Sequence, residues 1–154
     1  MKFSRPYISN KMTGVPYFNA PWFDKVSAEL TALGMEVFNP AQHDRERGLD
    51  PMACPSGHPD EARAAGGPPL REVLTADWTW IAGVADCVIV GPDWYDSKGA
   101  VSEVACAQAL GLPVFEHSTF MALCRPGSPE TADLLLSLKL PPIMEIALNP
   151  VTLG

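Results

Sequence analysis

Asp86-Cys87-Val88-Ile89-Val90-Gly91-Pro92-Asp93-Trp94-Tyr95-Asp96-Ser97-Lys98-Gly99-Ala100-Val101-Ser102-Glu103 is the stretch that decides the fold. Its opening is a compact β-branched run closed by a Gly-Pro turn signal, the pattern of a buried central strand. Its second half begins a helix of mostly small and apolar residues, which Gly111 stops. Leu112-Pro113-Val114-Phe115 then reads as the next strand. Upstream, Arg5 to Ser9 reads as a first strand and Met35 to Phe38 as a second, with a helix from about Ala20 to Leu33 between them. Phe23, Val26, Leu30 and Leu33 recur at three- and four-residue spacing along that helix, and Gly34 closes it. Another helix runs from Leu70 to about Ala85. Strands alternating with helices imply a parallel sheet covered on both faces, with ligands beyond the carboxyl ends of the strands.

The stretch from Ala41 to Pro69 is rich in Pro, Gly, Ala and charge without sustained periodicity, and reads as a long loop or lid. Ser118 to Leu140 predicts one or two further helices, and the Pro141-Pro142 tail is expected to dock on a neighbouring subunit. The 154 residues, 47% of them apolar, suit one domain with a real core. A net charge of −7 argues against the basic groove that polymeric nucleic acid requires. No apolar run approaches the ~20 residues needed to span a bilayer, and the N-terminus lacks a signal-peptide core, so a soluble cytoplasmic protein without membrane contact is expected. Cys54, Cys87, Cys106 and Cys124 form no CxxC pair, and Cys54 and His58 with His43 upstream lack the paired spacing of structural zinc, so no metal is expected.

Several polar residues do not fit a core. Glu103 falls in the early part of its helix, where unpaired N–H groups and the peptide dipole can hold an acid ionised as a nucleophile. The other reading is a solvated surface glutamate. Leu70, Leu74, Asp77, Ile81 and Val84 follow helical steps, placing Asp77 on the apolar stripe, where an unpaired carboxyl is costly. A rotated stripe with Asp77 at its edge explains the same spacing. The turn after the first strand offers Ser9, Lys11 and Thr13 as anion donors, although it is neither GxGxxG nor a P-loop. Ser97, Lys98 and the N–H groups from Gly99 onward make either a phosphate cradle or a simple helix cap, and Trp94 and Tyr95 are candidates to stack on a base.

Taken together, Tyr7-Ile8-Ser9 followed by Met12-Thr13-Gly14, then Asn39-Pro40-Ala41, Asp77, and Ser97-Lys98-Gly99-Ala100 with Glu103 resemble the nucleoside 2-deoxyribosyltransferase superfamily over roughly residues 5 to 116. The likeness is to a phage-associated branch known only as a domain of unknown function, with Asn10-Lys11 where that branch has Gly-Pro. The fold so implied is a single Rossmann-like (flavodoxin-like) domain with a parallel sheet of about four to five strands and helices on both faces. The resemblance further implies that Glu103 attacks the anomeric carbon, that Tyr7 holds that carboxylate, and that Asp77 serves the leaving base or sugar. Ser97, six residues before Glu103, stands where nucleoside 5′-monophosphate glycosidases of the superfamily place a phosphate-binding serine and deoxyribosyltransferases an aspartate. Asp93 and Asp96 keep a sugar-binding carboxylate open. The implied ligand is a small nucleotide or nucleoside, no cofactor is required, and a homodimer or higher homo-oligomer is expected.

Overall fold

Cys87–Val90 forms β2, the middle strand of a three-stranded parallel sheet in the order β1-β2-β3. The structure, a computed structural model, describes residues 3–124. β1 (Pro6–Ser9) pairs with β2 so that Tyr7 lies opposite Val88 and Ser9 opposite Val90, and β3 (Val114–Glu116) pairs on the other side, Val88 opposite Val114. Every residue of β1 and β2 is buried, which is why β2 carries an unbroken Cys-Val-Ile-Val run rather than an alternating one.

Strand alternation sends the two sets of side chains to opposite layers. Ile8, Ile89 and Phe115 pack with Phe23, Val26 and Leu30 of α1 (Ala20–Ala32) and Phe120 of α6 (His117–Leu123). Tyr7, Val88 and Val90 pack instead with Ile81 of α4 (Leu70–Gly83) and with Ala100, Val104 and Ala107 of α5 (Lys98–Ala109). The alanines of α5 let its backbone lie close to the sheet, so a side chain projecting from its buried stripe is carried deep into the molecule. Glu103 is one such side chain. Among the described residues, no helix is long and apolar enough to cross a membrane.

Two expectations are corrected. Among the described residues the sheet has three strands, not four to five. Met35 to Phe38 runs beside β1, with Glu36 N–H donating to Ser4 O at 2.8 Å and Phe38 N–H to Pro6 O at 3.0 Å, but it forms only an isolated bridge between Tyr7 and Phe38. The cause is Asn39-Pro40: proline lacks the N–H that would extend the ladder and instead opens a helix. The segment from 41 to 69 is likewise no structureless loop. It holds α2 (Pro40–Glu46), a 3₁₀ turn (Pro51–Ala53) and α3 (Pro59–Ala64), each begun by a proline and capped by the side chain of Asn39, Asp50 or His58. Helices of six or seven residues span less than two turns, too short for apolar periodicity to show. The stretch Ser118 to Leu140 yields α6 at its start; its remainder and the Pro141-Pro142 tail lie outside the described residues.

The placement of the 35–38 segment on one edge of β1 and of β2 on the other locates the site. Chain order reverses between β1 and β2, and in open parallel sheets the crevice at that reversal, beyond the carboxyl ends, receives the ligand. Ser9 ends β1 there, and Gly91 N–H donates to Ser9 O at 2.9 Å.

Candidate active site

Three helices and one strand converge on a buried group of acids. Glu103, from the middle of α5, is 7% exposed, and Asp77, from α4, is 3% exposed. Ser9 and Tyr7, two residues apart on β1, face the same layer, and Ser9 Oγ donates to Glu103 Oε2 at 2.5 Å. The Tyr7 ring is fully buried, stacked on Phe38 with centroids 5.2 Å apart, and it touches Trp80 of α4 at 6.4 Å. Its hydroxyl makes no hydrogen bond of standard geometry among the described residues, yet it is near enough to both carboxyls to hold each toward its ionised form. Asp77 Oδ1 is buried with no hydrogen-bond partner among the described residues.

Burial dominates the acidity of the group. Loss of hydration raises Glu103 to about 7, against the pull of the Ser9 and Tyr7 hydroxyls, which favour its carboxylate. Glu103 is the sixth residue of α5 and so sits past the first turn, where the dipole acts most strongly; the ionised form relies on Ser9 and Tyr7 rather than on the helix start. Asp77 is raised further, to about 8, by burial first and then by the charges of Glu103 and Asp44, with Tyr7 and Arg47 opposing. Burial and the two carboxylates push the Tyr7 phenol well above its usual range, so it stays a donor. Two neighbouring buried acids, both with raised proton affinity, are the kind of groups from which acid and nucleophile roles are drawn. The Ser9 hydroxyl on Glu103, with the Tyr7 hydroxyl near it, favours the ionised form of that acid.

These shifts carry a stability consequence. In each of Asp44 (raised to about 6), Glu103 and Asp77 the folded state binds its proton more tightly than the unfolded chain does. The stabilisation is complete below the unfolded carboxyl range and is lost as pH rises through about 6 to about 8. The unfolding free energy is therefore expected to fall by a few kcal/mol, on the order of the linked shifts, between pH 5.5 and 9. Chemical denaturation across that range checks it, and a flat profile contradicts the burial of these acids.

The remaining expected site residues are placed less centrally. Ser97 is the N-cap of α5, its Oγ accepting from Ala100 N–H at 3.3 Å, with Gly99 in the first turn and Lys98 exposed beside it. Asp93 is exposed at the start of the preceding turn. Lys11 is half-buried, and its carbonyl accepts from Asn19 Nδ2 at 2.8 Å. Ser9 is buried and its hydroxyl proton is committed to Glu103, so it supports that carboxylate rather than an anion in the loop. Trp94 packs into the core beside Ala100 and cannot stack on a base, whereas Tyr95 is exposed. Asn10 lies over Gly91, where even a Cβ would overlap the Asn10 side-chain amide, next to Trp22 on the α1 side of the sheet.

Sequence reasoning missed Asp44 and Arg47. Both belong to the segment read as a loop, and Asp44 is 7% exposed on α2, charged against Tyr7 and Asp77. The Asn39-Pro40 pair is a cap followed by a helix-opening proline, and it was the available signal that a helix begins there. A separate cavity of about 320 Å³ lies between α1 and α2, lined by residues including Asp24, Phe38, Gln42 and His43. None of Tyr7, Asp77 or Glu103 lines it, and the Phe38 ring stands between it and Tyr7.

Residues 4–116 match the model of a protein family described as "Domain of unknown function (DUF4406)". No curated protein matches the chain.

Proposed function

We propose that this chain, which belongs to the DUF4406 family, is an N-glycosidase that cleaves the base–sugar bond of a (deoxy)nucleoside 5′-monophosphate, with Glu103 as nucleophile. The observation that carries the reading is the 2.5 Å Ser9–Glu103 contact, made beside a second buried acid, Asp77, at the carboxyl ends of β1 and β2. A Glu103 oxygen attacks the anomeric carbon as the C–N bond breaks, and Asp77 delivers its proton to the departing base. Water then attacks the resulting glycosyl ester, returns a proton to Asp77, and restores the Glu103 carboxylate. If a second base takes the place of water, the outcome is base exchange, as in a nucleoside 2-deoxyribosyltransferase.

The N-terminus of α5, with the Ser97 hydroxyl and the exposed Lys98, is suited to the 5′-phosphate, and Gly99 leaves its first turn open to an anion. Asp93, exposed at the rim, is the residue that would hold a free sugar hydroxyl instead. In this reading the domain is Rossmann-like, the protein acts in the cytoplasm as a homo-oligomer, and neither metal nor organic cofactor takes part. A second reading, a nucleotide-binding protein without turnover, draws on the near-complete burial of Glu103 and Asp77.

Incubation with a mixed panel of nucleosides and nucleotides, with freed bases identified by mass spectrometry, separates these. Release from monophosphates alone is expected. Release from nucleosides alone overturns the assignment of Ser97, and tight binding with unchanged ligand favours the second reading.

A further inference from the structure

Asn10 and Gly91 are the first residues past the ends of β1 and β2, and they stand together at the crevice where chain order reverses. Gly91 N–H donates to Ser9 O at 2.9 Å, which carries the β1–β2 pairing one step beyond the strands. Gly91 is needed for space rather than for backbone freedom. Its φ lies outside the left-handed region, yet a Cβ there would overlap the Asn10 side-chain amide and come within 2.7 Å of Trp22 Cζ2. The room so left is filled by the Asn10 amide, which is 5% exposed and whose Oδ1 is enclosed with no hydrogen-bond partner among the described residues. An enclosed amide oxygen left unpaired costs free energy, and packing alone does not account for it. A donor brought by a ligand does.

The amide is also next in the chain to the group that holds the nucleophile. Ser9, whose hydroxyl donates to Glu103, faces the α4 and α5 side of the sheet, whereas strand alternation turns Asn10 to the α1 side beside Trp22. A ligand lying over the strand ends therefore has Glu103 on one side and Asn10 on the other.

We infer that Asn10 determines specificity for the sugar, its Oδ1 accepting a hydrogen bond from a ring hydroxyl of the bound nucleotide. With the ligand identified as in the proposed function, on which this assignment rests, the leaving base goes to Asp77 on the α4 side and the phosphate to the start of α5. A phosphate dianion has no proton to offer an amide oxygen. The sugar is the part that remains, and a hydroxyl, both donor and acceptor, suits either end of the amide. Because Glu103 attacks the anomeric carbon, the hydroxyls at C2′ and C3′ are the ones held near Asn10.

The test measures binding by calorimetry in Glu103→Gln protein, so that the ligands persist, with Asn10 present or replaced in Asn10→Ala. The ligands are the ribo, 2′-deoxy and 3′-deoxy 5′-monophosphates of adenine and of uracil. Asn10→Ala is expected to weaken binding about tenfold for sugars that carry the paired hydroxyl, the scale of one hydrogen bond. The sugar lacking that hydroxyl is expected to bind both proteins alike, which tells C2′ from C3′. Since the amide oxygen is unpaired in the free protein, Asn10→Ala should move the thermal midpoint by no more than about 3 °C. Should Asn10→Ala fail to fold, the side-chain amide resonance of Asn10 in ¹⁵N-labelled Glu103→Gln protein, assigned through its own carbons, carries the test. It is expected to shift with the hydroxyl-bearing sugars and not with the one that lacks the hydroxyl. Equal loss across all three sugars, no loss with any, or an amide resonance indifferent to the sugar overturns the inference; failure of every ligand to bind overturns it together with the glycosidase reading. If the sugar-dependent loss appears and protein retaining Glu103 releases no base, Asn10 keeps its assignment and the glycosidase reading falls. If base is released and the loss does not depend on the sugar, the reverse holds.

Discussion

Replacing Glu103 with Gln is expected to lower base release by at least about 10⁴-fold, the scale on which removal of an attacking group acts, while the protein remains folded. Gln has the shape of the acid and can still accept from the Ser9 hydroxyl, so the packing of α5 on β1 is preserved. It cannot open a covalent path, because a neutral amide is a poor nucleophile toward an anomeric carbon. The same substitution removes a charge that burial disfavours, so at pH 8 the variant is expected to unfold at a temperature equal to or above that of the unaltered protein. Loss of activity together with undiminished stability separates a catalytic carboxylate from a structural one. A variant that loses both places Glu103 in the scaffold.

Asp77→Asn is the second large effect. General acid catalysis contributes typically about 10²- to 10⁴-fold, and a drop of that size in kcat is expected here. It should be uneven across substrates. A base that leaves readily as an anion needs little help from a proton, whereas a more basic leaving group depends on it, so the loss should grow with the basicity of the departing base. The pH profile adds a second mark: with Asp77 present, activity should decline as pH rises through about 8, where Asp77 loses its proton, and Asp77→Asn should remove that limb. Rates measured on bases of graded basicity, across pH 5 to 10, check both points. A uniform loss with the alkaline limb intact assigns the proton to another group.

Much of the scaffold could be read directly from residue spacing. Phe23, Val26 and Leu30 stand on the buried side of α1, and Cys87 to Val90 is a strand buried throughout. The apolar stripe of α4 does contain Asp77, with Ile81 one turn on, although Leu70 at its start is exposed. These signals survive because each element is long enough to repeat, or is enclosed on both faces. What escaped was set by short-range chemistry and tertiary contact. The α2 helix has no repeat to reveal it, and with it went Asp44 and Arg47. Trp94 looked like a base-stacking residue because its loop precedes a helix; the short 3₁₀ turn it belongs to directs the ring into the core against Ala100.

Ser9 shows the same limit from another side. Its position two residues after Tyr7 placed both on one face of β1, but only the packing of α5 on that face brings its hydroxyl to Glu103. Ser97 retains both of its sequence-level readings, since a hydroxyl that caps α5 through Ala100 N–H keeps a second lone pair for a donor. Lys98 beside it supplies charge for an anionic ligand without entering the fold.

The most direct test of the account is to trap the glycosyl ester. A nucleoside monophosphate carrying fluorine at the sugar C2 slows departure of the sugar from the enzyme, since fluorine disfavours the positive charge that develops at the anomeric carbon. After mixing, acid quench and peptide mapping by mass spectrometry, the account predicts a sugar-phosphate mass added to the peptide that contains Glu103, and no such mass in Glu103→Gln. Base release from the natural substrate with the adduct on a different residue, or an undiminished rate in Glu103→Gln, would contradict it.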